Sequence, residues 1–561
     1  MLLTPAHISA DLLGPPLLAQ APEQFDLATI DFAIVVVYFV GVLFHGWWVS
    51  RKGNEDSEDY FLAGKTLPWY LIGFSLYASN MSGASFVGLM GAAYNNGIAV
   101  FNYEWTATVV LIFFSLFMLP YFLRAGLFTI PEYLETRFDK RSRYAFSAFT
   151  IMAIIFIDTA GALYAGGLVM TRVFAVDLWL AVAVLAFVAG AYTILGGLSA
   201  VVVTDTVQSI LLIIGGIAIF VLALGEVGGW TSFLNQVSEV QPRAMELYRP
   251  AGADFTPWLG LPGVILLGFY YWTLNQFIVQ RTLGADNLDQ GRKGALWAGF
   301  LKIPNLFIII VPGAIAILIY PNLENADLVF PTLAFDLLPI GLRGLVMAAL
   351  IAAIMSSLDS ALNAASSLVT MDFVAELRPA TSQQALVRIG RITTAIIMVI
   401  AAVYAPSIAS FQSLFGYFQS ALSFVTPPII AVYLAGLFIK RLNATAAFYT
   451  ILSGLVIGTP LFIMTQVTSF WTDTLGLPTF QFLYWNMAMF VLGFIAMLVI
   501  SAAGETPDRE AMREITFTRD NWEKDVLMRD QEEDLVWYRD FRAQCVMLLA
   551  VTVAVIGWFW V

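Results

Sequence analysis

The stretch Ala352-Ala353-Ile354-Met355-Ser356-Ser357-Leu358-Asp359-Ser360-Ala361-Leu362-Asn363 decides the fold class. It lies inside a run from about 341 to 371 built mostly of Leu, Ile, Val, Ala and Met. About 20 helical residues cross the hydrocarbon of a bilayer, so the run reads as a transmembrane helix. On it Ser356 and Ser360 are four positions apart and Asp359 follows Ser356 by three, so the three share a face. Small hydroxyl residues are common where membrane helices pack, which accounts for the serines but not for the aspartate. An ionised carboxylate at membrane depth is costly unless compensated, and a cation is the natural compensation. The segment reads as an ion site.

The rest of the chain has the same character. Of 561 residues, 59% are hydrophobic and 12% charged, the composition of a polytopic integral membrane protein. Long apolar runs predict about 14 transmembrane helices, near 30–49, 68–94, 98–122, 143–173, 177–195, 202–224, 257–279, 295–319, 336–373, 386–407, 409–438, 444–467, 479–502 and 543–560. No alternation of barrel type is present, so the expected class is all-α. With the N-terminus outside, 23 of the 28 lysines and arginines fall in cytoplasmic loops. Only Arg172, Arg243, Arg249 and Arg343 fall opposite, and Lys302 remains inside a helix. Both termini are therefore expected on the outer side.

The formal charge of −12 sits largely in loops and tail, so no nucleic-acid partner is expected. One cysteine, Cys545, excludes an internal disulfide and a cysteine metal centre. His7 and His45 are too few and too peripheral for a histidine one. Residues 1–27 lack a basic flank and a clear hydrophobic core, so the first helix is read as an uncleaved signal. No nucleophile–base pair or set of metal ligands at one depth points to an enzyme.

Several polar residues sit where lipid or packed helix is expected. The second helix carries Ser75, Ser79, Asn80, Ser82, Gly83 and Ser85 at mid-span. Such a run either unwinds to offer carbonyls to an ion or forms a small-residue packing face. Glu104, beside Tyr103 and Trp105, is either an interfacial residue or the anchor of a pocket. Asp158 is a buried acid on the fourth helix, and Asp205 lies where 196–208 turns the chain into the sixth, where it could serve as a cap. Residues 129–138 read as a short amphipathic cytoplasmic helix with Pro131 in its first turn. Lys302 is open between snorkelling and a buried role.

Taken in order, the segments 59–64, 130–138, 196–208, 280–283 and 353–363 resemble the sodium:solute symporter family. Within it, the bacterial sodium/sugar symporters of the sodium–glucose cotransporter branch are similar from about residue 38 to 462. The resemblance implies two inverted five-helix repeats, at about 68–224 and 257–438, within a transporter domain spanning 28–502. An outer segment 1–27 precedes it, and a charged cytoplasmic segment 503–542 and a final helix 543–561 follow. The family's principal sodium site maps onto the carbonyls of Ala78, Met81 and Ala353 and the hydroxyls of Ser356 and Ser357. A second sodium, known in some members, maps onto Asp205, Ser356, Asp359 and Ser360, with Asp359 a carboxylate where those members have a hydroxyl.

For the solute, Asn80, Tyr103, Glu104, Tyr271, Lys302, Phe415 and Gln419 match the sugar-transporting relatives in type. Tyr271 matches the inner-gate aromatic, and Leu89 and Phe415 supply an apolar floor. Ser85, Ala107 and Gly268 depart, standing for a glutamine, a serine and an asparagine; Asp158 stands where those relatives are neutral, and could pair with Lys302. The implied activity is sodium-coupled import of a small polar solute, a monosaccharide or polyol, by alternating access. The place is a bacterial-type inner membrane, with sodium ions, the solute and the lipid bilayer as partners and no obligate protein partner. A symporter for a monocarboxylate or amino acid is the alternative, and a transporter-like sensor a weaker one, because 503–542 is short for a signalling domain.

Overall fold

The computed structural model describes residues 28–50, 63–174, 176–411, 413–468, 470–505, 507, 515–528 and 537–559. The outer segment 1–27, most of the motif at 59–64 and much of 503–542 lie outside the described residues. Regular structure among the described residues is helical throughout; Leu67 with Ala285 and Arg249 with Pro257 form isolated bridges only. Among the described residues, ten helical runs are long and apolar enough to cross a membrane, and three shorter apolar helices accompany them. The all-α membrane class holds.

The chain opens with α1 (Thr29–Ser50), followed by α2 (Trp69–Asn80) and α3 (Gly83–Asn96). The division between α2 and α3 is the mid-span unwinding that the small polar run made possible. Met81 leaves the helical region (φ −83°, ψ 51°), and Ser82 is extended (ψ 165°) with its hydroxyl accepting the Ser85 N–H at 3.2 Å. Serine is suited to this N-cap because its side chain satisfies a donor that the helix cannot. Gly83 allows close approach here: a Cβ would stand 2.2 Å from Ile354.

Next come α4 (Asn102–Phe113), α5 (Ile130–Arg137), α6 (Lys140–Ala153) and α7 (Ala160–Phe174). The expected cytoplasmic helix is α5, opened by Pro131, with the Glu132 carboxylate accepting the Phe128 N–H at 2.6 Å. A π-helical turn, Ile154–Thr159, joins α6 to α7 and carries Asp158. Such insertions cost regular hydrogen bonding and occur often at functional sites.

Helix α8 (Leu178–Glu226) is helical along 49 residues. Straight, it would reach roughly 74 Å against a hydrocarbon core of about 30 Å. Its contacts with the central helix α12 (Leu342–Ser367) show a doubled chain. Leu185 and Ile354 both border Gly166, and Thr193 donates to Asp359. Ser356 donates to Asp205, and Val346 borders Gly215. The first half thus runs along the central helix and the second runs back, so the chain reverses between Thr193 and Asp205, as the sequence predicted.

Four helices complete the site region: α9 (Leu261–Phe269), α10 (Gln276–Leu283), α11 (Leu288–Lys302) and α12 (Leu342–Ser367). A second break separates α9 from α10. The π turn Tyr270–Leu274 ends at Asn275, which is extended (ψ 113°) and caps α10 by accepting the Phe277 N–H at 3.1 Å. The sequence was read as one continuous helix there, and an asparagine at mid-span was the available signal. Beyond lie α13 (Gln383–Tyr404), α14 (Leu414–Phe438), α15 (Phe482–Ala502) and α16 (Phe541–Trp558).

The run containing α12 is 94% buried over its most apolar window, against 28% for α15 and 22% for α16. Apolarity does not separate these helices, because lipid and protein interior are similarly apolar. The alanines and serines of α12 do separate them, since small side chains let other helices approach on every side. Asp31 on α1 accepts the Gly341 and Gly344 N–H groups at 2.7 and 2.9 Å and pairs with Arg343 at 3.0 Å, tying the start of α12 in place.

At the other end of that run, Asp372 is fully buried and accepts hydrogen bonds from Thr129 Oγ1 at 2.7 Å, Arg143 Nη2 at 2.7 Å and Ser147. Removing one partner of a buried pair costs about 3–5 kcal/mol, because the other charge is stranded. Arg143→Met is therefore expected to lower the thermal stability of the purified protein by an amount of that order. Adding Asp372→Asn is expected to restore part of it, as read from melting curves of the two variants in detergent.

Candidate functional site

The two breaks face one cavity of about 110 Å³. All ten residues assigned to solute binding line it: Asn80, Ser85 and Leu89 from the first break and α3; Tyr103 and Glu104 from α4; Gly268 and Tyr271 around the second break; Lys302 from α11; and Phe415 and Gln419 from α14. Residues scattered over more than 300 positions converge because each break presents side chains at the depth where α4, α11 and α14 pass.

The charged centre of the cavity is a pair. Lys302 Nζ lies 2.6 Å from Glu104 Oε2, with side-chain exposures of 1% and 5%. Two charges taken out of water need good geometry and further hydrogen bonds to persist. Both are present. Lys302 also donates to Asn80 Oδ1, and Glu104 Oε2 accepts from Asn305 Nδ2 at 2.6 Å. Asn305 in turn accepts from the Tyr77 hydroxyl at 2.7 Å. Lys302 therefore does not snorkel, and its partner is Glu104 in place of the considered Asp158. Glu104 is a cavity residue and not an interfacial one. Asn305 escaped the sequence reading, although a buried amide three residues after a buried lysine was a usable signal.

Aromatic rings shape the remaining wall. Tyr103 meets Phe415 edge-on at 5.0 Å between centroids, and Phe255 stands 6.0 Å from Tyr103. Tyr271 is flanked edge-on by Trp272 at 5.5 Å and Phe277 at 6.5 Å. Ring faces that accept C–H groups beside a few polar hydrogen-bonding groups suit a small polyhydroxylated molecule. Ala107 is fully buried and is not among the cavity-lining residues.

Two of the five residues assigned to the principal sodium site border the same space. Met81 and Ser357 line the cavity, and Ala78 belongs to the last turn of α2, where carbonyls lose their helical partners. On α12, Ser357 Oγ donates to the Ala353 carbonyl at 3.0 Å, and Ser356 donates to Asp205. The residues assigned to a second cation are only partly brought together. Asp205 is no helix cap: it accepts from Ser75 at 2.6 Å and from Ser356. The guanidinium of Arg281 stands beside it, 3.6 Å from Oδ2, donating to Ser75 Oγ at 2.9 Å and to Ser360. Asp359 turns to Thr193, and its other oxygen has no hydrogen-bond partner. Thr193, and Arg281 of the 280–283 segment, are not assigned to the site from sequence.

With this geometry in place, comparison with known proteins is informative. The chain matches the sodium:solute symporter family over residues 60–454. It is 32% identical over 557 residues to sodium/glucose cotransporter 1 of Sus scrofa, covering 90% of this chain and 84% of that one. It is 36% identical over 461 residues to the sodium/glucose cotransporter of Vibrio parahaemolyticus, covering 77% and 85%. It is 33% identical over 532 residues to sodium/myo-inositol cotransporter 2 of Homo sapiens, covering 87% and 79%. Among solved structures, a Na+-coupled sialic acid symporter in a substrate-bound outward-open state superposes with a TM-score of 0.72 at 22% identity, over 86% of this chain and all of that one. The helical order, the two breaks and the match across most of the chain make it a member of the sodium:solute symporter family.

Proposed function

We propose that this chain imports a small neutral polar solute, a monosaccharide or polyol, together with sodium. The observation that carries the reading is the shared wall: Met81 and Ser357, assigned to sodium, and Asn80 and Ser85, assigned to solute, lie on one cavity at the first break. A cation there would hold α2 against α12 and so fix the side chains that meet the solute. All-oxygen ligation by neutral carbonyls and hydroxyls suits a hard monovalent ion that must also be released. Each sodium contributes about 2.3 kcal/mol per 100 mV of membrane potential, in addition to its gradient. The relatives named for glucose and myo-inositol support the solute class. The alternative, a monocarboxylate or amino-acid symporter, fits less well, because Lys302 is already neutralised by Glu104.

The finer architecture belongs to the same proposal. About 14 spans, with repeats at about 68–224 and 257–438, place both termini outside a bacterial-type inner membrane. The contacts favour one sodium per solute. A second ion at Asp205, Ser356, Asp359 and Ser360 requires Arg281 to withdraw and Asp359 to leave Thr193.

Uptake of labelled sugars, polyols and carboxylates into proteoliposomes, with and without a sodium gradient, tests the activity; no sodium-dependent uptake of any neutral solute refutes it. Ser356→Ala and Ser357→Ala are expected to weaken sodium dependence at least tenfold with protein levels held, since such packing serines contribute roughly 1 kcal/mol or less to stability. Unchanged sodium affinity in both would remove the site assignment. Glu104→Gln is expected to raise the half-saturating solute concentration by tenfold or more and that for sodium far less, measured in the same assay. The reversal potential of solute-coupled current is expected to follow a one-to-one ratio in the wild type and in Asp359→Asn. A two-to-one ratio lost in that variant would establish the second ion.

A further inference from the structure

The cavity is lined by two carboxyl groups, Glu104 and Asp158, and one amine, Lys302, so their balance is uneven. Glu104 and Lys302 neutralise each other at 2.6 Å. Asp158 lines the same cavity from the π turn between α6 and α7 and forms no ion pair among the described residues. The polar side chains around it are neutral: the Asn275 amide at the second break, and the phenols of Tyr270, Tyr271 and Tyr417. On the α9 wall Gly268 leaves room, since a Cβ there would meet only Val110, at 3.7 Å. A mostly buried carboxylate that lines the cavity, with no cation paired to it among the described residues and an open volume elsewhere in the lining, is placed to meet a ligand.

We propose that Asp158 is a solute-contacting residue that makes the cavity a charge filter, admitting polyhydroxylated solutes that are neutral or carry an amine and rejecting carboxylates. Its two oxygens accept hydrogen bonds from a pair of solute hydroxyls or from an ammonium group, and both are donors that a carboxylate-bearing solute cannot supply at that point. When Asp158 is ionised, a solute carboxylate about 5 Å away meets like-charge repulsion worth on the order of a hundredfold in affinity at the effective dielectric of such sites. The inference rests on the symport reading above and names the solute chemistry of that same cavity.

The test is competition against sodium-driven uptake of the best neutral hexose or polyol in proteoliposomes. The competitors are the matching hexuronate and a set of amino-deoxyhexoses with the amine at each position. The variants are Asp158→Asn, which keeps shape and removes charge, and Asp158→Ser, which covers a folding defect of the first. In the wild type the hexuronate is expected to compete at least a hundredfold less well than the neutral solute, and at least one amino-deoxyhexose better than it. In Asp158→Asn the hexuronate penalty is expected to shrink tenfold or more, and the amine preference to vanish. Competition by the hexuronate within tenfold of the neutral solute in the wild type overturns the filter, as does a penalty unchanged in both variants. Absence of sodium-driven uptake for every neutral solute overturns the symport reading instead, and the filter with it.

Discussion

The backbone freed at Met81 and Ser82 is the feature on which the rest of the structure depends. Inside a bilayer every polar backbone group needs a partner, so a helix can open only where protein surrounds the opening. Here the surroundings are α12, whose Ile354 presses on Gly83, and the cavity walls of α4, α11 and α14. The small residues of α12 admit this packing, and the Ser82 cap restarts the helix at once as α3. One short interruption thus makes carbonyl oxygens and polar side chains available together at membrane depth, which is what moving a cation with a polar solute demands.

Charge is handled in the same economical way. Two buried cations at the site each lie beside an acid: Lys302 by Glu104, Arg281 by Asp205. Neutral hydrogen-bonding groups such as Asn305, Asn80, Ser75 and Ser360 take up the remaining valences. Such satisfied networks hold a geometry firmly, because breaking one member leaves its partner exposed to a low dielectric. Asp158 and Asp359 stand outside this pairing. Asp359 accepts one hydrogen bond, from Thr193, and Asp158 lines the cavity.

Much of this was legible in the chain. The class follows from apolar runs, and the reversal near 196–208 from the spacing of those runs. The ten solute positions converge on one cavity although the sequence offers only residue types in register with a family pattern. What escaped has a common cause. Asn275, Arg281, Thr193 and Asn305 act through residues more than a hundred positions away or through a local break, and the order of residues along the chain does not say which polar groups meet.

The sequence by itself determined which segments are apolar enough for a bilayer and the helical class, and it marked the polar run of the second span as a place that could open. Those properties are sums over local composition, and a bilayer reads them before any tertiary contact forms. Only the tertiary structure decided which acid each buried cation takes. Lys302 had two acids to choose from and pairs with Glu104, leaving Asp158 to the cavity; Arg281 takes Asp205, leaving Asp359 to Thr193. Electrostatic energy at membrane depth changes steeply over a few ångströms, so such choices are settled by how helices pack and not by the order of residues along them.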